Sequence, residues 1–356
     1  MKDLVRGLVL GACALPVVGT LLSLSRGSHW IFRMWDFPRV QIATIAAAGA
    51  VALRTRFSRG TAAERALLAA DAAVVAWQLY KIHRYTPLMR PTVKRATTND
   101  ADNRIVLMMT NVLQTNREYD RLLALVDEVN PDIILAVEID RPWMAALEPL
   151  SERYPYAVPV PLDNLYGMLL LSRLELIDPE VSFLIEDDIP SIRTRVRLRS
   201  GVELILHGVH PRPPEPIHDQ SSAPRDAELV VVGRAVDAEK ENLPTIVAGD
   251  LNDVAWSATS ELFVRISGLL DPRVGRGFYN SFNAKNALFR YPLDHVFHST
   301  HFKLVRLERL RRIGSDHFPI LVELQYEPLA IAEQEEPEQH AGDQEVAQEK
   351  VEKVER

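Results

Sequence analysis

The chain has 356 residues, 47% of them hydrophobic, and a net charge of −7. That is enough for one large domain with an addition, and the charge is uneven: residues 1–99 carry about +10, residues 100–327 about −11 and the remainder about −6. The acidic middle excludes a general nucleic-acid-binding surface, because phosphate affinity comes mainly from Lys and Arg. The single cysteine, Cys13, excludes an internal disulfide.

Three apolar stretches fill the first eighty or so residues. Gly7 to Leu24 lacks any charge and is long enough to span a bilayer. Val40 to Leu53 is shorter and flanked by Arg39 and Arg54, and Ala66 to Tyr80 is interrupted by Asp71. Trp30, Trp35, Trp77 and Tyr80 sit near the ends, where amphipathic rings favour a membrane interface. The competing readings are a signal peptide for the first stretch and soluble amphipathic helices for the other two. The expectation is a membrane anchor over residues 1–85 with two to three transmembrane helices. Basic residues are dense in every connecting loop, so orientation stays open.

Residues 86–103 form a polar linker. Beyond it, Ile105–Met109 is a short strand-like run. Residues 117–130 place apolar side chains at helical spacing and are stopped by Pro131. Strand patterns follow at Ile133–Val137, Gly167–Ser172, Thr194–Leu198 and Glu203–Val209. Ala227–Glu239 has helical spacing, and Thr245–Ala248, Leu293–Phe297 and Ile320–Leu324 complete the strands. Strands outnumber helices without strict alternation, which favours an α+β layered sandwich over a doubly wound sheet. Residues 328–356 are rich in Glu and Gln, lack aromatics, and are expected to be an acidic disordered tail; the alternative, a helix over the last dozen residues, has no strong apolar stripe.

Several of these apolar runs end directly in a polar residue that is expensive to bury: Asn111, Glu138, His210, Asp250 with Asn252, and Asp294. A further cluster, Gly314-Ser315-Asp316-His317, precedes the last strand. Each has an ordinary alternative as a cap, turn or loop residue. Together, at the ends of strands where a sheet aims side chains at one point, they supply hard oxygen donors suited to Mg2+ (or Mn2+). His210 and His317 can handle protons or phosphate oxygens. Zinc would want denser His or Cys spacing, and neither a phosphate-binding glycine loop nor a dinucleotide fingerprint is present.

In order, the segments TNVLQTN, PDIILAVEID, GMLLLS, HGVHPRPP, VAGDLND, LDHVF and GSDHFPI resemble the endonuclease/exonuclease/phosphatase superfamily, which includes pancreatic deoxyribonuclease, neutral sphingomyelinases and inositol-polyphosphate 5-phosphatases. The layout is similar to a membrane-anchored bacterial branch of it. The resemblance implies an α/β four-layer sandwich, two facing mixed β-sheets flanked by helices, over a catalytic domain at residues 104–327. It implies Asn111, Glu138 and Asp316 at a Mg2+ site and His210 on the scissile phosphate. Asp250 would act on the attacking water, Asn252 on a phosphate oxygen, and His317, held by Asp294, would be a transition-state stabiliser or base. Asn116 and Arg225 match recurrent polar positions of less defined role.

The expected partners are a phosphate-ester substrate (nucleic acid, or a lipid or inositol phosphate headgroup) and membrane lipids, with no obligate protein partner. The expected location is a bacterial inner membrane. The alternating Arg193, Arg195, Arg197 and Arg199 suggest either a phosphate-binding stripe or a charged sheet edge. A non-catalytic, membrane-associated binding protein on the same fold is the alternative function.

Overall fold

The computed structural model describes residues 1–216, 220–239 and 243–355 and divides the chain into two units. The first comprises residues 1–89 with 214–222. It contains helices α1 (Lys2–Ser23), α2 (Trp30–Arg33), α3 (Arg39–Ala52) and α4 (Ala62–Ile82). Ser222 N donates to Ser28 O at 2.7 Å and Trp30 N to Gln220 O at 2.7 Å, which joins the 214–222 segment to this unit.

The burial pattern of this unit is inverted. Thr20, Arg39, Glu64, Asp71 and Gln78 are buried, whereas Leu4, Leu8, Leu15, Val18, Leu21, Val51 and Leu79 are exposed. Inside, Arg39 donates to Asp36 Oδ1 at 2.7 Å and to Gln78 Oε1 at 2.9 Å, and Gln78 donates to Thr20 Oγ1 at 2.8 Å. Among the described residues one helix, α1, is long and apolar enough to cross a membrane. With 14 residues α3 falls short in length, and α4 carries Glu64, Arg65, Asp71 and Lys81.

The second unit holds two mixed sheets. The strands are β1 (Arg104–Asn111), β2 (Ile133–Val137), β3 (Tyr156–Val160), β4 (Met168–Ser172), β5 (Glu175–Ser182), β6 (Ser191–Arg197), β7 (Glu203–Val209), β8 (Thr245–Asp250), β9 (Asp294–His298), β10 (Phe302–Arg309) and β11 (Ile320–Tyr326). One sheet runs β10-β11-β1-β2-β4-β3 and the other β5-β6-β7-β8-β9. Side chains alternate across a strand, so each central strand serves two layers. Ile105, Leu107, Ile133, Leu135, Val137, Leu204, Leu206, Ile246 and Ala248 share one buried cluster between the sheets.

Their neighbours in sequence face outward onto helices. Met108, Ile134 and Ala136 pack with α5 (Tyr119–Val129) and α6 (Arg141–Leu147). Val209, Val247 and Phe297 pack with α7 (Ala223–Glu239) and α8 (Ala258–Ser267). The result is the four-layer sandwich. Each fully buried aliphatic side chain contributes roughly 1.5–3 kcal/mol, so the middle layer dominates stability.

Three expectations need correction. The tail does not stay loose: α9 (Asp343–Glu355) buries Ala347 against Val230, Leu262 and Ile266, and Arg265 grips Asp343 at 2.8 and 2.9 Å. Its few apolar residues suffice because α7 and α8 already offer an apolar patch. The linker is not free either. Val93 is fully buried, Ala96 N bonds Leu304 O at 3.0 Å, and the Thr97 and Thr98 amides donate to Glu327 at 2.8 and 3.0 Å.

Arg193, Arg195 and Arg197 lie on β6, an interior strand and not an edge, and Arg199 follows its end. They are neutralised: Arg193 by Glu239, Arg195 and Arg197 by Glu203, Arg199 by Asp132. The cross-strand acids were not visible because strand register is not written in the sequence.

Glu327 is nearly enclosed beside Lys303 Nζ, 2.8 Å away. Burial opposes its charge, but Lys303 and Thr97 outweigh that and hold its carboxyl at about 2, below the ordinary 4.5. A folded-state value below the unfolded one adds stability above the unfolded value and loses it as pH falls. Wild type is therefore expected to lose stability more steeply than Glu327→Gln between pH 4.5 and 2, as measured by urea denaturation across that range. Parallel curves would refute the assignment.

Candidate active site

Strand register delivers the polar residues to one rim. Asn111, the last residue of β1, pairs with Val137, the last of β2, so Glu138 emerges beside it. In the other sheet Val209 pairs with Gly249 and Asp250 with Asp294, so His210, Asp250 and Asp294 emerge together. Glu138 and Asn252 have φ of 64° and 49°. A left-handed backbone at a residue with a side chain costs about 1–3 kcal/mol and persists where surrounding contacts over-determine it. Here those contacts are Gln114 N on Glu138 Oε2 at 2.9 Å and Asn252 N on Asp250 Oδ1 at 3.0 Å.

The two sheets meet through one amide. Asn111 Nδ2 donates to Glu138 Oε1 at 2.7 Å and to Asp250 Oδ2 at 3.0 Å. His317 sits above them, with Nδ1 on Asp294 Oδ2 at 2.7 Å and Nε2 at 3.6 Å from Asp250 Oδ2. His210 Nε2 lies 4.0 Å from the same oxygen. Asp250, Asp294 and His317 each offer a ligand atom within 4.8 Å of the others, the one such group among the described residues.

Burial sets the electrostatics. It raises the Asp250 and Glu138 carboxyls, against the pull of His317 on Asp250 and of the Gln114 amide on Glu138. It pushes His210 down to about 4, so that imidazole is neutral at pH 7. Burial also works against a charged His317, but Asp294 and Asp250 outweigh it and lift that imidazole to about 10.

Other expected residues take different places. Asn252 Nδ2 donates to Pro211 O at 3.0 Å, which ties its loop to the one carrying His210. Asp316 is half-exposed; its carbonyl accepts from Ala284 N at 2.6 Å, while its charge helps hold the His317 proton. Asn116 staples two loops, donating to Val112 O and Ile313 O at 3.1 Å. Arg225 Nη1 donates to Asn252 O at 2.9 Å from beneath.

Sequence reasoning missed several supports. Ser315 Oγ donates to Asn111 O at 2.8 Å and accepts from His317 N at 3.0 Å. Tyr166 lies 5.3 Å from the His210 ring and Phe282 5.0 Å from the His317 ring. His295 Nδ1 sits 2.6 Å from Arg273 Nη2, and guanidinium only donates. Its Nε2–H therefore donates to Asp253 O at 2.9 Å. Ser315 had a signal, lying within the Gly314–His317 cluster. Tyr166, Phe282 and Arg273 had none, because they arrive on loops.

Residues 109–317 match the model of the Endonuclease/Exonuclease/phosphatase family. The chain belongs to that family. Its members are phosphoric ester hydrolases. No curated protein sequence is matched. Among solved structures, D. rerio TDP2 complexed with single-strand DNA product aligns with a TM-score of 0.52 at 17% identity, over 63% of this chain and 100% of that one. The family proteins from Beutenbergia cavernae and Bacteroides thetaiotaomicron align with TM-scores of 0.50 at 16% and 18% identity. They span 63% of this chain and 72% and 95% of theirs. At these identities the likeness is one of fold.

Gly249 precedes Asp250 at the end of β8, and its lack of a side chain is physical. A Cβ there would lie 1.9 Å from Val209 O. Gly249→Ala is expected to push β7 from β8 and destabilise the domain by at least ~1–3 kcal/mol, measured by chemical denaturation. An unchanged unfolding midpoint would contradict this packing.

Proposed function

We propose that this chain is a membrane-tethered, Mg2+-dependent (or Mn2+-dependent) phosphoesterase that hydrolyses a phosphodiester or phosphomonoester by in-line attack of water. One observation carries the reading: Glu138 from one sheet and Asp250 from the other converge on a single amide, under a His317–Asp294 pair. Among the described residues no Lys or Arg pairs with either of those two carboxylates. A buried Asp250 and a half-buried Glu138 joined through a neutral amide fit a divalent cation, which would relieve the desolvation that raises both carboxyls. Glu138 is the main hard oxygen donor for it, with Asp316 at the margin, and Asn111 would join by turning its amide so that Oδ1, here accepting from Leu113 N, faces the ion. A cation bound there would neutralise charge on the phosphoryl oxygens and acidify water.

The residues then divide the remaining work. Asp250, a carboxylate whose burial brings it towards the operating pH, accepts the proton of the attacking water. His317 is protonated at pH 7 and acts as a fixed positive charge facing the phosphoryl oxygens rather than as the base. Asp294 holds its ring through Nδ1. His210 stays neutral, its ring braced by Tyr166, and can donate one N–H to a phosphate oxygen. Water supplies the new P–O bond, and the ester oxygen leaves with its electron pair.

The tether rests on the inverted burial of the helical unit. A bundle with polar side chains inside and leucines outside suits a surrounding of lipid rather than water. A phosphate ester in a nucleic acid or in a lipid or inositol phosphate headgroup is the substrate class. The non-catalytic alternative is disfavoured because every member of the polar set is present.

Asp250→Ala and His317→Ala should each lower hydrolysis of bis-p-nitrophenyl phosphate by about 10²-fold or more, and chelation of divalent metal should abolish it in wild type. Variant rates equal to wild type, or hydrolysis indifferent to chelator, would sink the mechanism.

A further inference from the structure

Beneath the catalytic loop lies a chain of buried charges that begins on the C-terminal helix. Lys350 of α9 places Nζ 2.7 Å from Asp226 Oδ2 and 3.1 Å from Thr259 Oγ1. The other oxygen of Asp226 accepts both Arg225 Nε at 3.1 Å and Nη2 at 2.8 Å. Thus oriented, Arg225 turns Nη1 onto Asn252 O at 2.9 Å and keeps Nη2 3.4 Å from Asp253 Oδ2. Asn252 N in turn holds Asp250 Oδ1 at 3.0 Å. Arg225, Asp226 and Asp253 are all at most 4% exposed.

We infer that Lys350 is a positioning residue for hydrolysis: by holding Asp226 it fixes the guanidinium of Arg225, and through it the left-handed turn at Asn252 that aims Asp250. The inference rests on Asp250 acting on the water. It assigns the acidic C-terminal stretch a part in the active site that its composition does not suggest.

The physical argument is one of charge and direction. Two cations, the part-buried Lys350 and the buried Arg225, face two buried carboxylates, Asp226 and Asp253. Without Lys350, Asp226 keeps a buried oxygen with its main partner gone, and a buried carboxylate left in that state is strongly destabilising. Arg225 is the cation already in contact, so it is drawn towards Asp226 and away from Asn252. The Asn252 turn resists relaxation only through such contacts. A displacement of the reacting group by about 1 Å can lower turnover as much as 10²-fold.

α9 is also anchored independently of Lys350, by Ala347 in its apolar patch and by Arg265 on Asp343. Loss of the ammonium alone therefore leaves the helix docked, and the variant reports on charge rather than on unfolding.

The test uses the full chain with wild type, Lys350→Met, Lys350→Arg and the double variant Lys350→Met/Asp226→Asn. Lys350→Met should lower kcat on bis-p-nitrophenyl phosphate about tenfold, with KM unchanged within error. Lys350→Arg should restore most of it. The double variant, which removes both charges and keeps an acceptor for Arg225, should be faster than Lys350→Met. A folded Lys350→Met with wild-type kcat overturns the inference, as does a double variant no faster than the single. Hydrogen–deuterium exchange provides a readout that needs no turnover. The amides of residues 251–254 should exchange faster in Lys350→Met, while those of β2 stay protected. If wild type hydrolyses no phosphoester, the proposed function fails. Unaltered exchange at 251–254 would still, separately, overturn the role of Lys350.

Discussion

The dry layer between the two sheets is the constraint on which the rest depends. Leu135, Leu206, Ile246 and Ala248 pack there in one apolar cluster, which fixes the two sheets against each other. Because each strand alternates, a slip of one residue would turn those side chains out and the helix-facing set in. Register is therefore held by the whole core. The polar rim inherits that precision, since Asn111, Glu138, Asp250 and Asp294 are the residues at or just beyond which paired strands stop or start. No separate device is needed to bring the carboxylates of two sheets onto one amide.

Much of this was legible beforehand, and the reason is the same alternation. Ile133–Val137 and Glu203–Val209 have the same ends in sequence and structure, because a buried strand of apolar residues stops where a polar one begins. The polar residues at those ends were legible for the same reason. What was not legible came from pairing and from loops. β3, β5 and β10 have mixed, half-exposed patterns whose partners only register reveals. Phe282 and Tyr166 reach the histidines on irregular backbone, which has no period to detect. A helix over the last dozen residues lacks a strong apolar stripe, yet α9 forms because so few apolar residues suffice when the surface beneath is already apolar.

The arginines of β6 illustrate a second limit. A row of four alternating cations invites a phosphate-binding reading, and acids from the neighbouring strand, from α7 and from the loop before β2 cancel it. The charge left without a lysine or arginine at the polar rim is of the opposite sign. Among the described residues Glu138 and Asp250 face no lysine or arginine, with the His317 imidazole near Asp250, whereas other buried acids such as Asp226 and Asp271 are paired with arginine or lysine.

The left-handed backbone at Glu138 and Asn252 has an evolutionary consequence. Strain of this kind is kept only while turnover is selected, because folding alone favours its release. In a gene copy freed from that selection, glycine at either position would relieve the turn and stabilise the sheet ends together. Drift would then erode these two codons ahead of the surrounding core, and a duplicate that retained the sandwich but carried glycine at 138 or 252 would bear the mark of a lapsed enzyme.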